Sequence, residues 1–220
     1  MKKFITQIAA SALLLAGLST YAAQPVPDAS QLLLKSGIIS TSNDFEKKVL
    51  QTISSAELFQ GRYYRIVQFN SIPTSAEKMA IESSGIRILN YIPNRAFILS
   101  IPESYNLIRL AEWKVRTILA LEPEMKLARM LAEHNYPAYA QSANNQIDLV
   151  VQFFSDNSID LITNKLLQEG IIIEAKYSAY QQLHVRVDQS KVDHLASLPF
   201  IKWIAPVAPP STPDDTRGRS

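Results

Sequence analysis

Tyr63-Tyr64-Arg65-Ile66-Val67-Gln68-Phe69 is short and rich in β-branched and aromatic residues, the composition of a strand. It opens the stretch, running to Pro123, whose reading decides the fold. Thr74-Ser75-Ala76-Glu77 comes next and fits a capping box, in which the threonine oxygen takes an orphan backbone N–H and the glutamate reaches back to the cap. This predicts a helix start, with Met79, Ala80 and Ile81 as its inward face and Gly85 at the left-handed position past its end. Ile86 to Ile92 reads as a second strand, Pro93-Asn94-Arg95 as a turn and Ala96 to Ile101 as a third strand. Tyr105 to Trp113 carries Leu107, Leu110 and Ala111 at helical spacing, and Val115 to Leu121 is the last strand.

The pattern then returns. Val67-Gln68-Phe69 recurs as Val151-Gln152-Phe153, Gly85-Ile86 as Gly170-Ile171, Leu110-Ala111 as Leu195-Ala196 and Val115-Arg116 as Ile201-Lys202, with an offset drifting only from 84 to 86 residues. So long an offset marks a duplicated unit and not a solenoid of short repeats. Each copy has the order β-α-β-β-α-β. That order predicts an α+β protein of two tandem ferredoxin-like units, 61–123 and 146–207, each a four-stranded antiparallel sheet with two helices on one face.

Such a sheet leaves its second face open, and period-two alternation lets the two open faces be compared. In the second copy the outward set is Asp148, Gln152, Glu174, Lys176, Gln182, His184, Arg186 and Lys202, a face built for water. The first copy places Tyr64, Ile66, Gln68, Arg87, Leu89, Tyr91, Ala96, Ile98, Ser100 and Ile118 there. An apolar face of this kind docks against something, so Tyr64, Ile66, Leu89, Tyr91, Ile98 and Ile118 are the candidate docking residues.

Around the two copies the chain is simpler. Residues 1–22 read as a secretory signal: Lys2 and Lys3, an apolar run through Leu13-Leu14-Leu15, and small residues before a cut after Ala22. The run falls short of the roughly 18 to 20 residues a spanning helix needs. The chain is therefore expected outside the cytoplasm, secreted or periplasmic, with no membrane segment after signal removal. Residues 23–60 read as a leader, loosely structured over Gln24 to Ser42, and then an amphipathic helix. Phe45, Val49, Leu50 and Ile53 form its stripe, and Asn43 or Asp44 its cap. Residues 124–145 read as a further helix, from Glu124 to His134, and a linker at Ser142 to Asn145. Residues 208–220 have no large apolar side chain and read as an exposed tail.

Removing the signal takes two lysines from the formal charge of +2 and leaves the chain near neutrality, which offers nothing to nucleic acid. With no cysteine, the cores alone must hold an exported protein together. No catalytic set is apparent. His134, His184 and His194 lack metal-ligand spacing, and six glycines supply neither a phosphate-cradling loop nor a nucleophile elbow. Asp214-Asp215 lie in the tail. No cofactor or metal is expected.

The first copy, with Leu89-Asn90-Tyr91-Ile92-Pro93, Ala96-Phe97-Ile98 and Leu121-Glu122-Pro123-Glu124-Met125-Lys126-Leu127, resembles the N-terminal region of secreted subtilisin-like serine peptidases of the Bacteroidetes type. The second copy, ending in Leu198-Pro199-Phe200-Ile201-Lys202-Trp203-Ile204, resembles the continuation of that region. The family's catalytic Asp-Ser/Thr-Gly, His-Gly-Thr-His and Gly-Thr-Ser-Met-Ala blocks have no match, so no catalytic residue carries over. The resemblance implies a non-catalytic prodomain whose partner is a subtilisin-like peptidase domain, in cis or in trans. It would act as intramolecular chaperone and inhibitor, by pressing a sheet face on the peptidase and laying a tail in its cleft. Arg217 and Arg219 are the tail candidates for cleft binding or processing. Two alternatives stay open: a free-standing secreted binding or adhesion module, and an apolar first face covered by the Asp44 to Leu58 helix or by the second copy.

Overall fold

The computed structural model of the chain describes residues 28, 30–50 and 53–209. It is a mixed α+β structure with two large antiparallel sheets and a small hairpin. The hairpin pairs β1 (Gln31–Leu34) with β2 (Gly37–Ser40). The first sheet comprises β3 (Arg62–Phe69), β4 (Arg87–Ile92), β5 (Ala96–Pro102) and β6 (Val115–Ala120), ordered β4-β5-β3-β6. The second comprises β8 (Gln146–Phe153), β9 (Ile172–Tyr177), β10 (Gln182–Asp188) and β11 (Ile201–Pro206), ordered β11-β8-β10-β9. The short β7 (Gln141–Ser142) pairs alongside β8. In both sheets the first and third strands of the unit lie at the centre.

The local signals explain the helices. Glu77 N donates to Thr74 Oγ1 at 3.2 Å and Thr74 N donates to Glu77 Oε2 at 2.7 Å, the expected capping box at the head of α2 (Ser75–Ser83). Gly85 ends it with φ +95, and Gly170 does the same, with φ +73, after α4 (Ile159–Gln168). The inward face of α2 is narrower than expected: Ile81 is buried, whereas Met79 is 63% exposed. The second helical segment of the first half is a 3-10 helix, Leu107–Trp113, burying Leu107 and Leu110. Its counterpart is α5 (Val192–Ser197).

Each sheet packs one face on its helices. Tyr63, Val67, Phe69, Leu99 and Leu110 belong to the first core, and Leu149, Val151, Phe153, Ile162 and Leu195 to the second. The segment after the hairpin joins the first core through Phe45, Val49 and Ile53. It forms only one helical turn, α1 (Phe45–Lys48), instead of a longer amphipathic helix, and Leu50 is 74% exposed. Asp44 does not cap it. Its carboxylate accepts from Ser42 Oγ and Thr117 Oγ1, both at 2.6 Å, and pairs with Lys48.

Three other expectations are corrected. Gln31 to Ser40, read as loose leader, is the hairpin, because Leu32 and Leu34 alternate onto the first sheet and Gly37 supplies the turn at φ +147. Asn94 Nδ2 ties the hairpin down by donating to the carbonyls of Asp28 and Gln31. The helix expected over Glu124 to His134 is a 3-10 turn, Pro123–Lys126, followed by α3 (Arg129–Ala132). Between them Leu127 bridges Ile204, with Ala128 N donating to the Ile204 carbonyl at 2.8 Å, so the backbone pairs with β11 instead of coiling. The expected linker is a tight turn between β7 and β8, with Asn144 and Asn145 both at φ +60.

The halves interlock. Phe59, just before β3, sits in the second core with its ring centroid 4.5 Å from that of Phe200. Phe154, just after β8, lies against the far face of the first sheet.

Candidate functional site

The far face of the first sheet is as apolar as the alternation predicts, but it is not open. Tyr64, Ile66, Ile92, Ala96 and Ile98 form a third core with Leu32 of the hairpin and Phe154 of the second half, flanked by Leu34, Leu89, Leu119, Leu121 and Met125. Ile66 is 1% exposed and Ile98 7%. The cover is therefore the hairpin plus the second half, and not the segment after Asp44, which packs on the opposite face. Two of the six candidate docking residues lie elsewhere. Ile118 points into the helix-side core, and Tyr91 is half exposed with its ring edge-on to Phe97 of that same core.

Both displacements have one cause. The β4–β5 register shifts between Ile88 and Asn90, and the β3–β6 register shifts between Gln68 and Phe69. At each bulge one extra residue, Leu89 or Arg116, reverses the parity of the residues beyond it. Hence Val115 and Ile118, three residues apart, share a face.

Where the halves meet on this face, a polar cluster is buried. Asp156 follows Phe154 into the first sheet, and its side chain is 3% exposed. Ser100 Oγ donates to Asp156 Oδ2 at 2.6 Å and Tyr64 Oη donates to Oδ1 at 3.2 Å. Asn157 Nδ2 donates to Tyr64 Oη at 2.8 Å, and Arg62 and Arg87 lie 3.9 and 3.8 Å from the carboxylate. Burial, which outweighs the bond from Asn157, pushes the Tyr64 phenol well above its ordinary range. Every oxygen of the carboxylate is used in holding the halves together, so this cluster is a joint.

The cover is incomplete beside β11. A crevice of about 420 Å³ remains, lined by buried Ile66 and Ile98, by partly buried Leu34, Leu121, Met125, Lys202 and Trp203, and by exposed Lys35. Lys35 Nζ stands 5.5 Å from the Trp203 ring centroid. Burial first, and the Lys35 charge second, hold Lys202 below the ordinary lysine range. Neither lysine has a hydrogen bond or ion pair among the described residues. Of the candidate docking residues, Ile66, Tyr91 and Ile98 border this space.

The second sheet keeps the face that the alternation predicts along β8 and β10: Leu149, Val151, Val185 and Val187 are buried on one side, and Asp148, Gln152, Gln182, His184 and Arg186 are partly exposed on the other. In β9 the register shifts at Glu174, so Lys176, expected outward, stands opposite buried Leu183 on the helix side and lies 3.5 Å from Asp160 of α4, and in β11 Lys202 is the extra residue at a second shift. Arg186 Nε and Nη2 donate to the two Asp148 oxygens at 2.6 and 2.9 Å, and Arg186 also pairs with Glu174 at 3.1 Å. Asp148 is held below the usual carboxylate range by that bond. The result is a charged surface laced by ion pairs.

The histidines are scattered. His194 contacts Glu169 at 2.9 Å, His134 lies 3.8 Å from Asp193, and His184 faces Gln182. Among the described residues no group of three or more His, Asp or Glu could hold a metal ion, and no helix is long and apolar enough to cross a membrane. The signal segment, Asp214-Asp215, Arg217 and Arg219 lie outside the described residues.

Phe154, Asp156, Leu32 and Lys35 escape sequence reasoning. The Leu32-Leu33-Leu34 cluster is the available signal for the hairpin, whereas nothing local distinguishes Asp156 from an ordinary loop acid.

Residues 33–122 match a family described as a domain of unknown function, DUF8729, over less than half of the chain. The matched stretch runs from within β1 to just past β6, so it takes in most of the hairpin together with the first sheet. No curated protein and no solved structure matches.

Proposed function

We propose that the chain is an exported, non-catalytic prodomain made of two ferredoxin-like units, which chaperones and inhibits a subtilisin-like serine peptidase. The observation that carries this reading is the layout of the second half. There the sheet has one face under its helices and one face free, and its edge strand β11 leads directly toward the tail at 208–220. A sheet face for docking and an adjoining tail for the cleft are the two parts such an inhibitor needs, with backbone pairing along the cleft giving affinity. The strand order with first and third strands central, the same in both halves, supports the ferredoxin-like assignment.

On this reading the docking face is that of the second sheet. Tyr64, Ile66 and Ile98 serve the chain's own packing, which leaves Gln152, Glu174, His184 and Arg186 as the surface for a partner. Titrating the purified chain into a secreted subtilisin-like peptidase should slow peptide hydrolysis stoichiometrically. Removing 209–220 should abolish the effect. Inhibition that survives this truncation overturns the tail mechanism. A chain that leaves such peptidases untouched supports instead a free-standing binding module, the reading favoured by the internally covered first face.

A further inference from the structure

We infer that the crevice between the hairpin, the first sheet and β11 is a binding site for an aliphatic carboxylate, its chain against Ile66, Ile98, Leu34, Leu121 and Met125 and its head between Lys35 and Lys202. This site adjoins the free face of the second sheet along β11, and it does not rest on the peptidase reading. Its volume, about 420 Å³, falls in the range of small-molecule sites, which are mostly apolar with a few polar groups fixing orientation.

The charge pattern selects the class. Two lysines line an otherwise largely apolar crevice, close enough for the charge of Lys35 to lower the proton affinity of Lys202, and among the described residues no carboxylate pairs with either. Like charges so placed repel, and an anion between them relieves that cost while its own charge is neutralised. A cationic amphiphile is excluded by the same charges. An extended peptide fits less well, because its buried amides need partners and Asn90 is the one uncharged amide side chain on the wall. An unbranched carboxylate brings an apolar body and a single anion, which is what the apolar walls and the two lysines complement.

The probe is decanoate, titrated by calorimetry into the full chain. Saturable binding is expected, with the neutral analogue decanol bound at least about tenfold more weakly. The K35Q/K202Q double variant should lose about tenfold in decanoate affinity and leave decanol unchanged. The proposal is overturned if decanoate and decanol bind the wild-type chain alike, if decanoate does not saturate at millimolar concentration, or if a hydrophobic peptide binds there and decanoate does not. The decanol comparison uses only the wild-type chain, so it decides the matter even if the double variant folds poorly.

Discussion

The ring of Phe154, from the second half, lies flat on the ring of Tyr64, from the first, with centroids 4.1 Å apart and planes 18° from parallel. Phe154 is fully buried there and Tyr64 is 4% exposed. With Phe59 sunk in the opposite core, each half completes the other, so the halves should unfold together.

Phe154→Ala should therefore cost about 3–5 kcal/mol, the usual penalty for emptying a buried aromatic site. Because the lost contact lies between the halves, it should also uncouple them. Urea unfolding followed by tryptophan fluorescence reads Trp113 in the first half and Trp203 in the second. A single transition in the wild type should become two in the variant. One coincident transition at lower urea would mean that Phe59 suffices for coupling.

Asp156 anchors the same joint by charge. Asp156→Ala removes the carboxylate that faces Arg62 and Arg87 and the acceptor for the Ser100 and Tyr64 hydroxyl protons, while Arg62 keeps its bonds to Ser100 and to the Gly85 carbonyl. A loss of about 3 kcal/mol is expected, as for one partner removed from a buried pair. Asp156→Asn keeps an acceptor for Ser100 and Tyr64 and should lose less. Equal losses in the two variants would show that the arginines, and not the hydrogen bonds, set the energy.

How far the sequence reaches is visible in this joint. Alternation along β8 and β10 identifies the water-facing side of the second sheet, since neither strand carries a bulge that resets parity against the other. In the first sheet the same rule places Tyr64, Ile66, Leu89 and Ile98 correctly, then misassigns Ile118 and Tyr91 just past the two bulges, which no residue type announces. The helix boundaries at Thr74 and Gly85 are legible because a cap and a left-handed residue are local. The hairpin is not, because four-residue strands are too short for a period and Leu32 becomes apolar-in only against a sheet far along the chain. The Asp156 site depends wholly on tertiary contacts.

That cover makes the apolar face a folding surface. Ile66→Asp puts an unpaired charge at a fully packed position and should leave the chain unfolded or aggregated by circular dichroism and light scattering. Gln152→Lys and His184→Lys, on the exposed side of the second sheet, should stay within about 0.5 kcal/mol of wild type. If Ile66→Asp folds normally, the hairpin does not seal the face.

Lys126 supplies a pH signature of its own. Its side chain is buried, 3% exposed, and donates to the Leu198 carbonyl at 3.0 Å. Burial lowers its pKa from 10.5 to about 8, the Glu122 charge opposing that shift only in part. A folded pKa below the unfolded one means that the unfolded chain binds the proton more tightly. Folding is thus penalised in full below pH 8, and the penalty fades as pH rises from 8 toward 10.5. Lys126→Met removes the titration. Between about pH 7 and 9.5 the wild type should gain about 2 kcal/mol relative to that variant. The window stops at about 9.5 because Tyr63 and Tyr64, with pKa values raised by burial, stabilise the fold only while neutral and lose that contribution above about pH 10. Parallel urea curves at the two pH values measure the double difference. A gap that stays constant would mean that Lys126 is as well solvated in the folded chain as in the unfolded one.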